Sequence, residues 1–428
     1  MAPNTDSNNR EKRHVPQLPI ASRKDHFAIV NADVTSDIPE LLKSWNCSKA
    51  LLVASRALTK NSDVVKRLEL KLGDKFAGSK IGVGSHTPYS DVAEICDKLR
   101  ETKADCLISI GSSSYSDGCK IARLLYDTFE GKKVTADWME SLIDQDKGST
   151  PAKMFTGPLK TRLILVPCSL SVSEYNPVSS ATNQDGKKQH FGNNNHDAAA
   201  PDAVLLDPAV AATAPESLWL SSGARAIDHS VETICSREVD EEGTRIAFEG
   251  LREVITGLKT YKACKDGGAK ADDPSLLQAI TDCQLGAKNA ISGLLAYGSH
   301  MGPSHAIGHQ LGSVGKVAHG LTSCVCLGPV LKYEKKHPDS KYWDVSKQDD
   351  IVKTFNEVLD WNEGSAGDTV ERFYGEVLGL PTTLSKVGVT EEEMLQKIAK
   401  QTLTDIWGGG PRQIETSDQV MEILELAR

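Results

Sequence analysis

The sequence has no run of eighteen apolar residues, so no segment reads as a membrane-spanning helix. It has no CxxC pair. Its ten cysteines, at positions 47, 96, 106, 119, 168, 235, 264, 283, 324 and 326, are scattered, with two alternating in Cys324-Val325-Cys326 on an apolar segment. Buried free thiols in a cytosolic, cytoplasmic protein are the reading that follows. Aromatics are scarce, at 5%, and no basic stripe interleaves with them, which argues against a nucleic-acid partner. The start, MAPNTDSNNREKRHVPQLP, has no apolar core of a secretory signal, and Asp6 and Glu11 argue against a mitochondrial address. Residues 1–20 are expected to form a disordered tail or an arm docked on the fold. No repeat of 20–50 residues is present.

What is present is an ordinary globular balance: 428 residues, 39% apolar, 25% charged, net charge −9 from 49 basic and 58 acidic side chains. That length suggests two domains. Up to about residue 210, short apolar runs alternate with helical patterns: ALLVAS (50–55), KIGVG (80–84), CLISIG (106–111), RLILVP (162–167) and DAVLLDP (202–208) read as strands. DVAEICDKLRE (91–101) and DGCKIARLLYDTF (117–129) read as helices between them. Such alternation predicts a doubly wound, Rossmann-like parallel sheet. The turn-rich stretch 176–202 predicts a surface hairpin or loop. Beyond about residue 215 the apolar spacing is helical throughout. The expected organisation is therefore an α/β domain over 21–212 and an all-α domain over 213–428. Thr390 three residues before Glu393 reads as a helix start.

CLISIG runs into 111-GSSSYSD-117 and then a helix. A strand, a small-residue turn and a helix N-terminus make an anion site, because free backbone N–H groups and the helix dipole favour phosphate. Gly111 permits close approach, and Ser112, Ser113 and Ser114 add hydroxyls; the structural alternative is an ordinary helix cap at Ser116 or Asp117. Ser55-Arg56 follow the first of these strands. An acid at such a position grips a ribose 2′-OH, whereas Arg suits a 2′-phosphate, which tilts the reading toward NADP over NAD; an exposed structural Arg is the alternative. Downstream, 300-HMGPSHAIGHQLGSVGKVAHG-320 places His305 and His309 four apart, with His319 ten later.

Taken together these segments resemble the iron-containing (group III) alcohol dehydrogenase superfamily, in particular its maleylacetate reductase-like branch. GSSSYSD resembles the family's GGGSxxD turn and 166-VPCSLSVSEY-175 its PTTLSxxE segment. His86-Thr87-Pro88, 223-GARAIDHSVE-232, GPSHAIGHQLG with AHG, PTTLSKVGV and the late GPRQI fit as well. The resemblance spans roughly residues 25–428. It implies the two-domain architecture shared with dehydroquinate synthase, and hydride transfer between NAD or NADP and a small carbonyl or alcohol substrate in the cleft between the domains. A homodimer is implied too. Expected cofactor contacts are Ser55 and Arg56, from their place after a strand, and Gly111, Ser112, Ser113, Ser114, Asp117, Ser169 and Ser171, on the segments that carry the resemblance.

In metal-dependent members one Asp and three His bind Fe or Zn. The resemblance places the histidines at His229, His305 and His319, with His309 a further, non-ligating histidine. The Asp position falls on Arg225. A guanidinium cannot ligate and stays protonated. Held about 5–6 Å from a dication, the usual i, i+4 spacing, it costs on the order of 6 kcal/mol at an effective dielectric of about 20. Asp228, adjacent on the helix, is expected to point away. Glu232 lies on the right face, yet the family carries a Glu there without using it as a ligand. The sharper reading is a metal-free or weakly metal-binding reductase in which Arg225 takes a substrate carboxylate or polarises a carbonyl and His309 or His305 delivers a proton. The bland alternative has Arg225 bridging to Asp228 or Glu232. Two rival functions remain in view: a lyase or isomerase on the same scaffold, and a nucleotide-binding, non-catalytic descendant.

Overall fold

The computed structural model describes residues 11–20, 23–151, 153–155, 157, 159–192, 200–339, 343–405 and 414–428. The chain divides into two compact units, one of Met1–Cys168 with Ser173–Thr213 and one of Ser169–Val172 with Ala214–Arg428.

Among the described residues the first unit has nine strands: β1 Arg13–Pro16, β2 Phe27–Val30, β3 Ala50–Ala54, β4 Phe76–Ile81, β5 Cys106–Gly111, β6 Arg162–Pro167, β7 Ser179–Thr182, β8 Lys188–Phe191 and β9 Ala203–Leu206. Seven form one sheet in the order β1-β2-β9-β6-β5-β3-β4. Every pairing in it is parallel except that of β1 with β2. Strands β3, β5 and β9 are buried along their whole length, which is why they read as unbroken apolar runs: helices cover both faces of the parallel sheet. From the arm expected over residues 1–20, Arg13–Pro16 pairs as the antiparallel edge strand β1, with Arg13 opposite Val30. β7 and β8 form a separate antiparallel hairpin within the turn-rich stretch.

The strand order reverses between β3 and β5. The chain leaves β3 for the edge strand β4, then crosses back to β5 and continues away through β6. Right-handed crossovers send the connections after β3 and β5 to opposite faces, which opens a crevice at their carboxyl ends. Ser55 and Gly111 stand at those two ends, and the Ser55 N–H donates to the Ile110 carbonyl at 2.9 Å.

Two helix boundaries differ from the sequence reading. The helix after β5 spans Ser113–Thr128 with Ser112 as N-cap, so the cap is neither Ser116 nor Asp117 and the serines lie at the cap and in the first turn. The helix Glu392–Thr402 is capped by Glu391 with no side-chain bond, so Thr390 does not play its expected part; the reciprocal Thr416–Gln419 capping box occurs instead at helix Ser417–Leu426. A Ser/Thr–x–x–Glu/Gln spacing shows a box is available, and local backbone geometry decides whether it forms.

The second unit is helical. Its closest helix pair is Glu241–Asp266 against Pro274–Ala296, and glycines let the backbones touch. A Cβ on Gly250 would lie 2.7 Å from the Ala290 nitrogen, and one on Gly257 would lie 2.6 Å from Cys283 Sγ and 2.7 Å from the Ala279 carbonyl oxygen. The two are seven residues apart, two helical turns, and so lie on one face. Because backbone cannot move aside as a side-chain tip can, Gly257→Ala is expected to destabilise the protein by about 2 kcal/mol through overpacking, read as a lower urea midpoint at unchanged slope.

Candidate functional site

In the first unit the turn after β5 is shaped by close packing. A Cβ on Gly111 would fall 2.4 Å from Cγ of Tyr115, so only glycine lets that ring lie back against the strand end. Ser112 has extended backbone and makes no side-chain cap bond, and Ser112, Ser113 and Ser114 are half-buried at the start of the helix. The first-turn N–H groups of this helix thus begin at the carboxyl end of β5, and such donors favour an anion. Asp117 is turned to the fold: its carboxylate lies 3.2 Å from Lys120 Nζ and 3.4 Å from the Ser180 N–H. Across the crevice, Ser55 caps the short helix Arg56–Asn61. Arg56 is exposed and lies over Gly82 at the end of β4, where a Cβ would meet its Nε at 2.2 Å.

The His86-Thr87-Pro88 segment touches the same turn. Both His86 and Thr87 have positive φ, 61° and 56°, a conformation that costs a β-branched residue energy and persists only where neighbours enforce it. Here Thr182 of the hairpin enforces it, its hydroxyl donating to the His86 carbonyl and its N–H to the Thr87 carbonyl. Thr87 in turn donates its hydroxyl to the Ser114 carbonyl at 3.1 Å. Nothing in the sequence announced this brace.

Glu174, the last acid of the 166–175 segment, is buried beside Lys120 and Asp117. Burial pushes its carboxyl up to about 7, with Lys120 opposing. Lys120, itself fully buried, donates to the carbonyls of Ser173 and Asn176 and so ties this segment to the helix.

In the second unit, Ser169 and Ser171 are hydrogen-bonded to one another at 3.2 Å, and the Leu170 N–H between them donates to Ser222 of helix Glu216–Cys235. That helix carries Arg225, Asp228, His229 and Glu232, spaced so that they share one face. Glu232 accepts the Gly302 N–H at 2.6 Å and the Ser304 N–H at 2.8 Å, which caps helix Pro303–Ser313, and its Oε2 lies 2.6 Å from His305 Nδ1. Asp228 does not point away as the sequence suggested. Its Oδ2 accepts the Ser304 hydroxyl at 2.9 Å and lies 3.4 Å from His305 Nδ1. A neighbour 100° round a helix still reaches a flanking helix when that helix packs close.

The histidines fall into two pairs. His229 and His305 are sealed, at 4% and 1% exposure, with rings stacked at 4.9 Å and 22°. His229 Nδ1 and His305 Nε2 have no hydrogen-bond partner among the described residues. Burial pushes His305 down to about 3, against the pull of Asp228, and holds His229 well below the ordinary imidazole value. Burial also pushes Asp228 up to about 6 and Glu232 up to about 7. His309 and His319 form the outer pair, with rings nearly parallel at 6.1 Å. His309 keeps 23% of its side chain exposed, and its Nδ1 lies 3.1 and 3.3 Å from the two carboxylate oxygens of Asp405. Sequence reasoning missed Asp405: it lies 96 residues from His309, so no spacing signals it.

Arg225 is 6% exposed. Among the described residues its Nη1 makes only long contacts, 3.5 Å to the Thr322 hydroxyl and 3.4 Å to that of Ser323, both on helix His319–Lys336. Among the described residues it has no ion pair, so the expected alternative of a bridge to Asp228 or Glu232 does not form. Burial lowers its pKa and those two acids oppose the shift; a guanidinium stays charged under such a pull. The residues do not reproduce the metal set that the resemblance implies: Arg225, a cation, stands at the carboxylate position, and the described group whose ligand atoms converge within 4.8 Å is Asp228, Glu232 and His305, not the three histidines.

A sheet with a small-residue turn at its switch point, in one chain with a helical unit carrying an imidazole cluster, fits the class of nicotinamide-dependent oxidoreductases. Residues 26–208 match the model for iron-containing alcohol dehydrogenase, and residues 220–428 match that for the Fe-containing alcohol dehydrogenase family, C-terminal. The chain belongs to the iron-containing alcohol dehydrogenase family. It is 30% identical to Dehydrogenase ALT3 of Alternaria alternata, over 89% of this chain and 99% of that one. It is also 30% identical to Dehydrogenase FUM7 of Gibberella moniliformis, over 90% and 92%. The maleylacetate reductase structure from Agrobacterium tumefaciens shares the fold, with a TM-score of 0.69 and 19% identity over 94% of this chain and 95% of that one. The protein is thus an NAD(P)-dependent alcohol or aldehyde oxidoreductase acting on a small molecule, and no helix among the described residues is long and apolar enough to cross a membrane.

Glu174 gives a stability signature. Its folded pKa of about 7 lies above its ordinary 4.5, so between those values the folded state binds more protons than the unfolded state. Stability therefore falls as pH rises through that window. Glu174→Gln is expected to flatten this limb and raise stability at pH 8 by on the order of 3 kcal/mol, measured as urea midpoints at pH 5 and pH 8 for both proteins.

Proposed function

We propose that this protein reduces a small oxo acid, or oxidises the matching hydroxy acid, without a metal as electrophile. The observation that carries the reading is Arg225: a sealed guanidinium with no carboxylate partner among the described residues and only two weak hydroxyl contacts. A buried cation left so poorly paired favours an anionic ligand, and the planar fork matches a carboxylate or a polarised carbonyl oxygen. The nicotinamide supplies the hydride when bound. Arg225 holds the substrate's carboxylate or its developing alkoxide, and the open histidine, His309, transfers the proton to or from the substrate oxygen. His229 and His305, sealed and held neutral by burial, take no part in that proton transfer.

The cofactor reading is that the Gly111–Ser114 turn takes the diphosphate and Arg56, beside Ser55, takes a 2′-phosphate, so NADP is preferred. An exposed Arg with no acid at the strand end supports it. Arg56→Ala is expected to raise KM for NADPH about tenfold or more and to leave KM for NADH unchanged, in initial-rate assays with each cofactor.

Two substitutions at Arg225 address the electrophile. Arg225→Ala is expected to lower kcat/KM for an oxo acid at least a hundredfold and that for a neutral aldehyde much less. Arg225→Asp is expected to acquire stoichiometric Zn²⁺ or Fe²⁺ on reconstitution, read by elemental analysis, where the unsubstituted protein does not. A full complement of tightly held metal in the unsubstituted protein overturns the metal-free reading.

A further inference from the structure

His305 and His309 sit one helical turn apart on Pro303–Ser313, and each has a carboxylate against its Nδ1 from another part of the unit: Glu232 behind His305 and Asp405 behind His309. The two pairs differ in access. His305 is 1% exposed, whereas the His309 side chain is 23% exposed and its acid is 9% exposed. Both oxygens of Asp405 lie within 3.3 Å of His309 Nδ1. Gln310, the next residue on the helix, donates Nε2 to Asp405 Oδ2 at 3.0 Å, so the carboxylate is held from a second side.

We propose that Asp405 is a positioning residue for the reaction. It accepts the Nδ1–H of His309, fixes the ring plane and the tautomer, and leaves Nε2 as the edge presented to the reacting oxygen. An imidazole has two nitrogens, and which one carries the proton is set by the bond the other makes. A side chain with partial exposure and no such partner samples several rotamers and both tautomers; a carboxylate pinned by Gln310 removes that freedom. Asp405 does not touch substrate in this scheme, so its effect falls on turnover and not on binding. The inference rests on the role given to His309 above.

Asp405→Asn, Asp405→Glu, Gln310→Ala and His309→Gln, each with its Tm, test it by steady-state kinetics in both cofactor and oxo acid. Asp405→Asn can donate to Nδ1 as well as accept from it, so it loses control of the tautomer while keeping shape. The expected result is a kcat lowered at least tenfold in Asp405→Asn, KM for NAD(P)H within twofold, substantial recovery in Asp405→Glu, and a smaller loss in Gln310→Ala. The double variant His309→Gln/Asp405→Asn is expected to be no slower than His309→Gln alone, because two residues acting through one ring are not additive. A His309→Gln enzyme that is inactive beside an Asp405→Asn enzyme of unchanged kcat overturns the inference and leaves the His309 assignment standing. A fully active His309→Gln enzyme overturns that assignment and the inference with it. If Asp405→Asn lowers Tm sharply, the kcat and KM of Gln310→Ala decide: unchanged kcat there overturns the proposal.

Discussion

The carboxylate of Glu232 governs the helical unit's site. It is 1% exposed, yet it satisfies two backbone N–H groups at the start of helix Pro303–Ser313 and one imidazole nitrogen. Orphan donors at a helix end are costly to bury and must be met by something. Meeting them from the helix Glu216–Cys235 fixes the spacing between the element that carries Arg225 and the element that carries His305 and His309. The positions of His305 and His309 follow from that one cap. Asp228 reinforces it by taking the Ser304 hydroxyl.

Charge in this region is balanced loosely. Two carboxyl groups pushed upward by burial stand near one guanidinium, and two sealed imidazoles are held neutral. The acids spend their hydrogen-bonding capacity on backbone, hydroxyl and imidazole, and Arg225 is left with distant hydroxyls. Arg225 thus brings a fixed positive charge into the buried face of helix Glu216–Cys235.

Much of this was legible in the sequence. Buried parallel strands announce themselves because both faces are apolar, so β3, β5, β6 and β9 stand out as runs. The histidine spacing and the substitution at Arg225 were visible because local helical periodicity places residues without knowledge of tertiary packing. What was hidden depended on contacts between distant segments. Asp405 reaches His309 across 96 residues, and the direction of Asp228 was set by the neighbouring helix, not by its own. The helix after β5 starts four residues ahead of the apolar pattern because SSSY has no strong apolar period, although Tyr115 is already packed under Gly111. The late GPRQI segment lies, apart from Ile414, outside the described residues.

The glycine-lined pair of helices, Glu241–Asp266 and Pro274–Ala296, has a consequence for how this scaffold varies. Where main chain rests on main chain at Gly250 and Gly257, no larger residue fits without pushing the helices apart. The seam is closed to enlargement at those two positions, and variation along it falls to the side chains beside them, such as Val254 and Cys283.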